Sequence, residues 1–386
     1  MLNKFVCFLC VALTLAMFNE TILASTALKC SIYVVQVVFI VWLYYVARKN
    51  GVDPFRKRLV VILLFLVISN FLWSPYRPNY SWIIKYISYI LSFEMGCILY
   101  IRRKSLKVNK LVLSVIVLLP LFLVGIVDKT PHKTVFFVFS NSYSFTGLAL
   151  SLLFYTIYSE KKNAFFVSLG ILFLYIISCS SLGIVGAVFL AVLIINRRNK
   201  KLMIYSFFCC AAFGLLVAYS DFEFCKRIRD VFKVLSSMTP QDWHNLKYFD
   251  HYGATQGMNF ESSRTDNTSI IWRLGHWIRL LESFFENWIY AIPFGLGDSY
   301  TLRILRNHPH NDYLRVLCEY GAIVFFIVMK YMKRTFKVMT KDKSFYFVCA
   351  YFVYFFTENI IDTFVANAIM FMCIGFHYSK CKASPV

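Results

Sequence analysis

The side chains best suited to chemistry are two histidines, His308 and His310, which flank one proline and precede Asn311. An imidazole titrates near neutral pH, so a histidine in an aqueous cavity can take a proton from a hydroxyl group. Asn311 or Asp312 could orient the ring of His310. The alternative is an interfacial histidine that only caps a helix, because His-Asn dipeptides are common.

The two histidines could also form a metal pair on residue type alone. Pro309 disfavours the helical conformation for His308 and stiffens the chain between the two rings. No acidic or cysteine cluster with metal-ligand spacing accompanies them. We therefore predict neither a metal nor another cofactor.

Five arginines precede this motif and could bind an anion: Arg264, Arg273, Arg279, Arg303 and Arg306. A guanidinium group binds phosphate oxygens in pairs and can stabilise negative charge on a departing diphosphate. The alternative is pairing with nearby acids such as Glu282, Glu286 and Asp298, because the segment from 220 to 311 contains equal numbers of basic and acidic residues.

Long apolar runs must position these residues. The chain of 386 residues is 59% hydrophobic, and its runs of roughly 15 to 22 residues suit a bilayer core. We predict an all-α integral membrane protein with about twelve transmembrane helices, both termini cytoplasmic, and one large periplasmic loop domain. The predicted spans are 5–24, 28–47, 59–74, 81–101, 111–127, 135–158, 164–178, 181–196, 202–219, 313–330, 344–359 and 362–379. Residues 1–219 thus hold nine spans, 220–312 the loop domain, and 313–386 three spans and a cytoplasmic tail.

The formal net charge of +21 does not indicate nucleic-acid binding, because most basic residues lie in the loops predicted to be cytoplasmic. The short outer loops carry only Arg77, Lys129 and Lys133. Within the spans, the charged residues need a partner or a cavity. They include Glu20, Lys85, Glu94 and Glu358, and for Glu20 and Lys85 a place near the outer interface is sufficient.

The loop domain contains an amphipathic segment at 271–290, which we expect to lie in the headgroup plane or to pack on the spans. Pro293 ends it, and Gly295-Leu296-Gly297 then forms a turn that permits close backbone approach.

The chain resembles the O-antigen polymerase and ligase family of bacterial inner-membrane glycosyltransferases. The likeness lies in the order Arg273, Gly295-Leu296-Gly297, His308-Pro309-His310-Asn311 and Glu319-Tyr320-Gly321, with a large outer loop before the histidines. It implies a GT-C-like arrangement and glycosyl transfer from an undecaprenyl-diphosphate-linked oligosaccharide, without a nucleotide sugar or metal.

On this resemblance His310 deprotonates the acceptor hydroxyl and Arg273 holds the diphosphate. His308, Asn311, Arg279 and Arg264 would complete substrate binding. One departure is that many members carry a Ser-Arg pair where this chain reads Ser180-Ser181-Leu182-Gly183. A second phosphate-binding arginine must then come from elsewhere or be absent.

The two activities of the family differ in acceptor, which is another lipid-linked repeat unit for a polymerase and lipid A-core for a ligase. Val324 after Gly321 favours the polymerase. A polysaccharide-unit transporter and a scaffold remain alternatives, although the repeated broken segments of a transporter are absent from the sequence. A flippase and a chain-length regulator of the same pathway are the expected protein partners, besides membrane lipid.

Overall fold

The structure of the protein is a computed structural model, and every regular element in the residues it describes is helical. These residues are 26–51, 61, 64, 65, 68, 72, 81–101, 140–179, 182–197, 199–221, 223–248, 269–305 and 308–383. The all-α prediction is confirmed for this part of the chain.

Fourteen α-helices are present in the described residues, and a 3-10 turn, Leu246–Tyr248, follows the eighth. They are α1 (Thr26–Lys49), α2 (Ser81–Ile101), α3 (Ser140–Tyr158), α4 (Ala164–Cys179), α5 (Leu182–Asn196), α6 (Lys200–Tyr219), α7 (Glu223–Ser237), α8 (Pro240–Asn245), α9 (Ser269–Glu286), α10 (Trp288–Phe294), α11 (Tyr300–Leu305), α12 (Asp312–Met339), α13 (Phe345–Tyr354) and α14 (Phe364–Ala383).

Several apolar runs coincide closely with helices. The run 81–101 is α2, and the run 164–178 is α4 with one further residue. The predicted spans 5–24 and 111–127 lie outside the described residues, and of the span 59–74 only five positions are described. Among the residues that are described, no helix combines the length and the apolarity that a membrane crossing requires.

The main core lies among α2, α3, α13 and α14, where large side chains such as Phe145, Leu148 and Tyr351 are fully buried. Two glycines set the approach of α2 to α14. A β-carbon on Gly96 would lie 1.8 Å from the carbonyl oxygen of Met372, and one on Gly375 would lie 1.9 Å from that of Phe93. The two backbones therefore touch, and the absent side chains permit this contact.

A second backbone contact joins the loop after α10 to the middle of α12. Gly321 interrupts α12 with φ 81° and ψ 170°, so the helix bends there. The N–H groups of Leu296 and Gly297 donate to the carbonyl oxygens of Cys318 (2.7 Å) and Glu319 (3.1 Å). These bonds use carbonyls next to the bend, where the helical ladder is interrupted. The predicted span 313–330 thus lies within a longer helix that has a kink at Gly321.

The glycines of this contact are in close proximity. A β-carbon on Gly321 would lie 2.7 Å from the backbone nitrogen of Gly295, and one on Gly295 would lie 2.3 Å from the carbonyl oxygen of Glu319. Both residues also have positive φ, which glycine adopts at little cost. The two glycine motifs of the sequence therefore form one interlocked unit.

Large apolar side chains are exposed on the outward faces of several helices. They include Val34 and Val38 of α1, Phe166 and Phe173 of α4, and Phe207, Phe208 and Leu215 of α6. Each is more than half exposed. Exposed apolar side chains that cluster on one helix face are suited to packing against a further apolar surface.

Candidate active site

His310 lies immediately before α12 and adopts a left-handed conformation, with φ 50°. Asn311 follows in extended conformation as the N-cap of α12, and its side-chain oxygen accepts a hydrogen bond from the N–H of Leu314 at 3.0 Å. A positive φ is uncommon outside glycine and persists where the surroundings hold it. The cap fixes the backbone on one side of His310.

The other side of His310 is held by the amphipathic helix α9. The indole N–H of Trp277 donates to the carbonyl oxygen of Pro309 at 2.6 Å. The ring of Trp272 packs edge to face on the imidazole, with centroids 4.9 Å apart. The predicted amphipathic segment thus packs on the histidine motif and helps to fix its position.

One carboxylate joins the two residues that the sequence selected for catalysis. Glu358 Oε2 lies 2.9 Å from His310 Nδ1, and Glu358 Oε1 lies 3.0 Å from Arg273 Nη2. Arg273 Nη1 also donates to the carbonyl oxygen of Thr357 at 2.8 Å. The Glu358 side chain is 3% exposed, whereas those of His310 and Arg273 are each 20% exposed. The carboxylate is therefore buried beneath two groups that a ligand can reach.

Glu358 occupies this position because the helix before it ends early. The predicted span 344–359 is wrong at its C-terminal end, since α13 ends at Tyr354 and an irregular segment continues to α14. Asp312 stabilises this segment: its carboxylate accepts hydrogen bonds from the N–H groups of Ile360 (2.8 Å) and Ile361 (2.9 Å). Its own N–H donates to the carbonyl oxygen of Phe355 at 2.8 Å. Burial raises the pKa of Asp312 well above its usual range.

Gly183 of α5 also packs on Glu358. A β-carbon at this glycine would lie 3.2 Å from Glu358 Oε1 and 2.9 Å from a ring carbon of Tyr354. Gly183 ends the segment where many members of the resembling family carry a Ser-Arg pair. This segment therefore reaches the carboxylate that binds His310 and Arg273. Ser180 and Ser181 lie outside the described residues.

The hydrogen bond to Glu358 determines what His310 can do chemically. A neutral imidazole that donates from Nδ1 to the carboxylate carries its lone pair on Nε2, and can accept a proton there. A carboxylate in this position fixes the orientation and the tautomer of the ring. The prediction that Asn311 or Asp312 orients the ring is wrong, because the side chains of both residues accept hydrogen bonds from backbone N–H groups.

A second histidine–carboxylate pair lies beside the first. His308 Nε2 is 3.5 Å from Asp362 Oδ2, and the same oxygen accepts a hydrogen bond from Arg315 Nη1. Lys85 Nζ is 3.1 Å from the other oxygen of Asp362, and Arg315 Nε is 3.0 Å from Glu319 Oε2. We call these five residues the second cluster. Lys85, expected near the interface, therefore has a carboxylate partner.

The remaining predicted residues are not brought to the same point. Arg279 Nη2 donates to the carbonyl oxygen of Ile304 at 3.1 Å, which ties α9 to α11. Arg264 and Arg306 lie outside the described residues. Within the part of the chain that the structure describes, no group of three or more metal-ligating side chains could hold a metal ion.

Three acidic and basic residues of the site were missed by sequence reasoning. Glu358 stands out in the sequence as a charge in an apolar run, but its partners are 48 and 85 residues distant, and no local pattern indicates them. Asp362 and Arg315 were not selected. The available signal was the spacing of the acids: Glu358 and Asp362 are four residues apart, beside a run that is otherwise apolar.

Comparison with known proteins finds no family model that matches this chain and no curated protein with significant similarity to it.

Proposed function

We propose that this protein is a glycosyltransferase of the bacterial inner membrane that polymerises surface polysaccharide. It would join undecaprenyl-diphosphate-linked oligosaccharide repeat units on the periplasmic face. The observation that carries the proposal is the attachment of His310 and Arg273 to opposite oxygens of Glu358. A proton acceptor and an anion-binding group are thereby held side by side at a partly exposed site.

Membrane insertion is supported by the sequence and by the helix surfaces. Apolar runs of membrane-spanning length alternate with short basic loops, as the positive-inside rule requires. The apolar outer faces of α1, α4 and α6 are suited to lipid. Twelve spans would place both termini in the cytoplasm and the histidine motif outside.

The chemistry follows from the two side chains. Nε2 of His310 removes the proton from an acceptor hydroxyl, and that oxygen attacks the anomeric carbon of the donor sugar. The bond from this carbon to the diphosphate breaks as the new glycosidic bond forms. Undecaprenyl diphosphate leaves with the bonding electron pair, and the anomeric configuration is inverted.

Arg273 is the group that would bind the departing diphosphate. Two of its N–H donors are used on Thr357 and Glu358, and a guanidinium has five. Its Nε is buried and finds no hydrogen-bond partner among the described residues. One further N–H on each of Nη1 and Nη2 is not used by these two contacts, and the side chain is 20% exposed, which suits an incoming anion.

A strain in which the gene is deleted provides the test. Loss of the protein should leave single repeat units on the lipid A-core, visible as one band in place of a ladder on gels of surface glycan. Complementation with His310→Ala or Arg273→Ala should not restore the ladder, whereas wild type should. Immunoblots of the membrane fraction must show equal amounts of each variant.

Other outcomes would favour the alternatives. Glycan that accumulates on undecaprenyl diphosphate beside bare lipid A-core would identify a ligase. Repeat units stranded in the inner leaflet would identify a transporter. A normal ladder with both variants would indicate a scaffold, and in each of these cases the polymerase proposal is refuted.

A further inference from the structure

We propose that Lys85, His308 and Asp362, the outer members of the second cluster, form a subsite that binds hydroxyl groups of the acceptor oligosaccharide. This inference rests on the proposed function and assigns the place of the second substrate. It concerns a set of residues distinct from the pair His310 and Arg273.

The position of this subsite follows from two short spacings in the chain. His308 and His310 are two residues apart, so their α-carbons are separated by at most about 7 Å. Their carboxylate partners, Asp362 and Glu358, lie on the same irregular segment between α13 and α14. The two sites are therefore adjacent, at a distance comparable with one sugar ring and its hydroxyl groups.

The exposure of the cluster divides it into an outer and an inner part. The side chains of Lys85, His308 and Asp362 are 19%, 25% and 33% exposed, whereas those of Arg315 and Glu319 are 6% and 0% exposed. The outer three can thus meet a ligand. The inner two are an ion pair that supports them.

The inner pair is itself held firmly. Thr301 Oγ1 donates to Glu319 Oε1 at 2.5 Å, which ties α11 to α12. The hydroxyl of the neighbouring Tyr320 donates to Asp298 Oδ1 at 2.8 Å. Groups that bind a ligand with specificity are positioned by such supporting hydrogen bonds.

The charge of the cluster favours an uncharged polar ligand. Lys85 and Arg315 are balanced by Asp362 and Glu319. Burial and the nearby Arg315 guanidinium lower the pKa of His308 to about 4, so its ring is neutral at pH 7. A neutral set that contains both donors and acceptors matches hydroxyl groups, whereas the spare donors of Arg273 match an anion.

A purely structural role explains the cluster less well. Withdrawing four ionised groups from water costs more free energy than a packed apolar cluster would, so such groups contribute little net stability. The core among α2, α13 and α14 is already apolar and closely packed. The ionised groups instead occur next to the candidate catalytic pair, where a sugar must bind.

The experiment measures binding separately from catalysis. The repeat-unit oligosaccharide is released from undecaprenyl diphosphate by mild acid, which leaves a molecule able to act as acceptor but not as donor. Its affinity for the full chain in lipid nanodiscs is measured by saturation-transfer NMR. The variants are Asp362→Asn and Lys85→Met, and the matched control is Asp342→Asn, a carboxylate that also bridges a histidine and a lysine.

We expect Asp362→Asn to weaken oligosaccharide binding about 10-fold and Lys85→Met several-fold, as for the loss of a charged hydrogen-bond partner. The control Asp342→Asn should stay within about two-fold of wild type. Thermal melting shows which variants are folded. If Asp362→Asn is unfolded, Lys85→Met alone decides.

Wild-type affinity in the folded variants at both positions would overturn the subsite, even when the wild-type protein makes polymer. Loss of binding in these variants, together with a wild-type protein that makes no polymer from lipid-linked units, would refute the proposed function but retain an oligosaccharide site.

Discussion

Near each end of α12 lies a carboxylate that contacts both a histidine and a basic side chain. Glu358 bridges His310 and Arg273 near the first residue of the helix. Beyond its last residue, Asp342 Oδ1 lies 3.2 Å from His377 Nδ1 and Asp342 Oδ2 lies 2.9 Å from Lys380 Nζ. The charged groups are of the same kinds at both ends.

The two ends differ in what surrounds the histidine. His377 is fully buried, its ring stacks on Tyr155 with centroids 5.3 Å apart, and its Nε2 lies 3.1 Å from Thr156 Oγ1. His310 is one-fifth exposed. Both nitrogens of His377 thus face protein groups, which suits a structural tie. A charged triad therefore indicates a reaction site only where a substrate can reach the ring.

The sharpest test of this difference removes each bridging carboxylate in turn. Glu358→Ala should lower the rate of polymer formation by about 100-fold, because it removes the group that orients His310. Asp342→Ala should leave the rate within about two-fold of wild type per folded molecule. Rates with purified lipid-linked repeat units measure both effects.

Formate provides a control for the role of Glu358. A small carboxylate that diffuses into the space left by Glu358→Ala should restore part of the rate, whereas it should not alter the rate of Asp342→Ala. Equal losses in the two variants would remove the distinction between the ends.

A second test concerns the interlocked glycines Gly295 and Gly321, which attach the loop after α10 to α12. Gly321→Ala should lower the free energy of unfolding by about 2 kcal/mol or more, since a β-carbon there meets backbone atoms at a positive φ. Thermal melting in detergent measures this change. Gly170→Ala is the matched control, because a β-carbon at this helical glycine would meet no other described atom within 4 Å. A melting temperature unchanged in Gly321→Ala would contradict the contact.

A third test replaces each cation conservatively. Arg273→Lys should lower polymer formation by about 10-fold, because an ammonium group cannot bind Thr357, Glu358 and a diphosphate with one planar fork. Lys380→Arg should have little effect, since one ion pair with Asp342 is enough there. Initial rates at saturating donor, together with the donor KM, measure the loss. A rate in Arg273→Lys equal to that of wild type would show that the diphosphate does not need the guanidinium.

The smallest expected effect is a dependence of stability on pH. The pKa of His308 is lowered from 6.5 to about 4 in the folded protein. Below pH 6.5 the unfolded chain takes up a proton that the folded chain does not, so stability falls as the pH is lowered from 7 towards 4. His308→Gln should remove about 1 kcal/mol of this loss at pH 5, after allowance for partial exposure.

Melting curves at pH 7.5 and pH 5 for wild type and His308→Gln measure this difference, with pH 7.5 as the internal reference. The protonation of Asp342 cannot account for it. The pKa of this carboxylate is held well below its usual range, largely by His377, so its contribution to stability is present at pH 5 and is lost only below about pH 4. An equal change of stability between pH 7.5 and pH 5 in the two proteins would show that His308 has the same pKa in the folded and the unfolded chain.

The sequence predicted helices better than it predicted where they end. Continuous apolar runs defined α2 and α4 to within one residue, because burial or lipid contact along a whole helix requires such a run. The end of α13 was missed because the residues that follow it are also apolar. Their backbone groups bond to Asp312, a residue distant in the chain, and no local pattern records that.

The candidate site was predictable only in part for the same reason. His310 and Arg273 were selected from their types and from the family resemblance, and the structure brings them to one carboxylate. The identity of that carboxylate depends on the fold, since Glu358 is 48 residues from His310. Residues that bind one another across such distances leave no periodic signal in a single sequence.

The contact of α2 with α14 at Gly96 and Gly375 fixes how closely the two helices approach, and this affects the groups further along α2. Lys85 is eleven residues from Gly96, about 16 Å along the helix axis. A tilt of about 5° at the crossing would therefore move the Lys85 backbone by about 1.4 Å, enough to separate its ammonium group from Asp362. Two positions without side chains thus govern the alignment of charges several turns away.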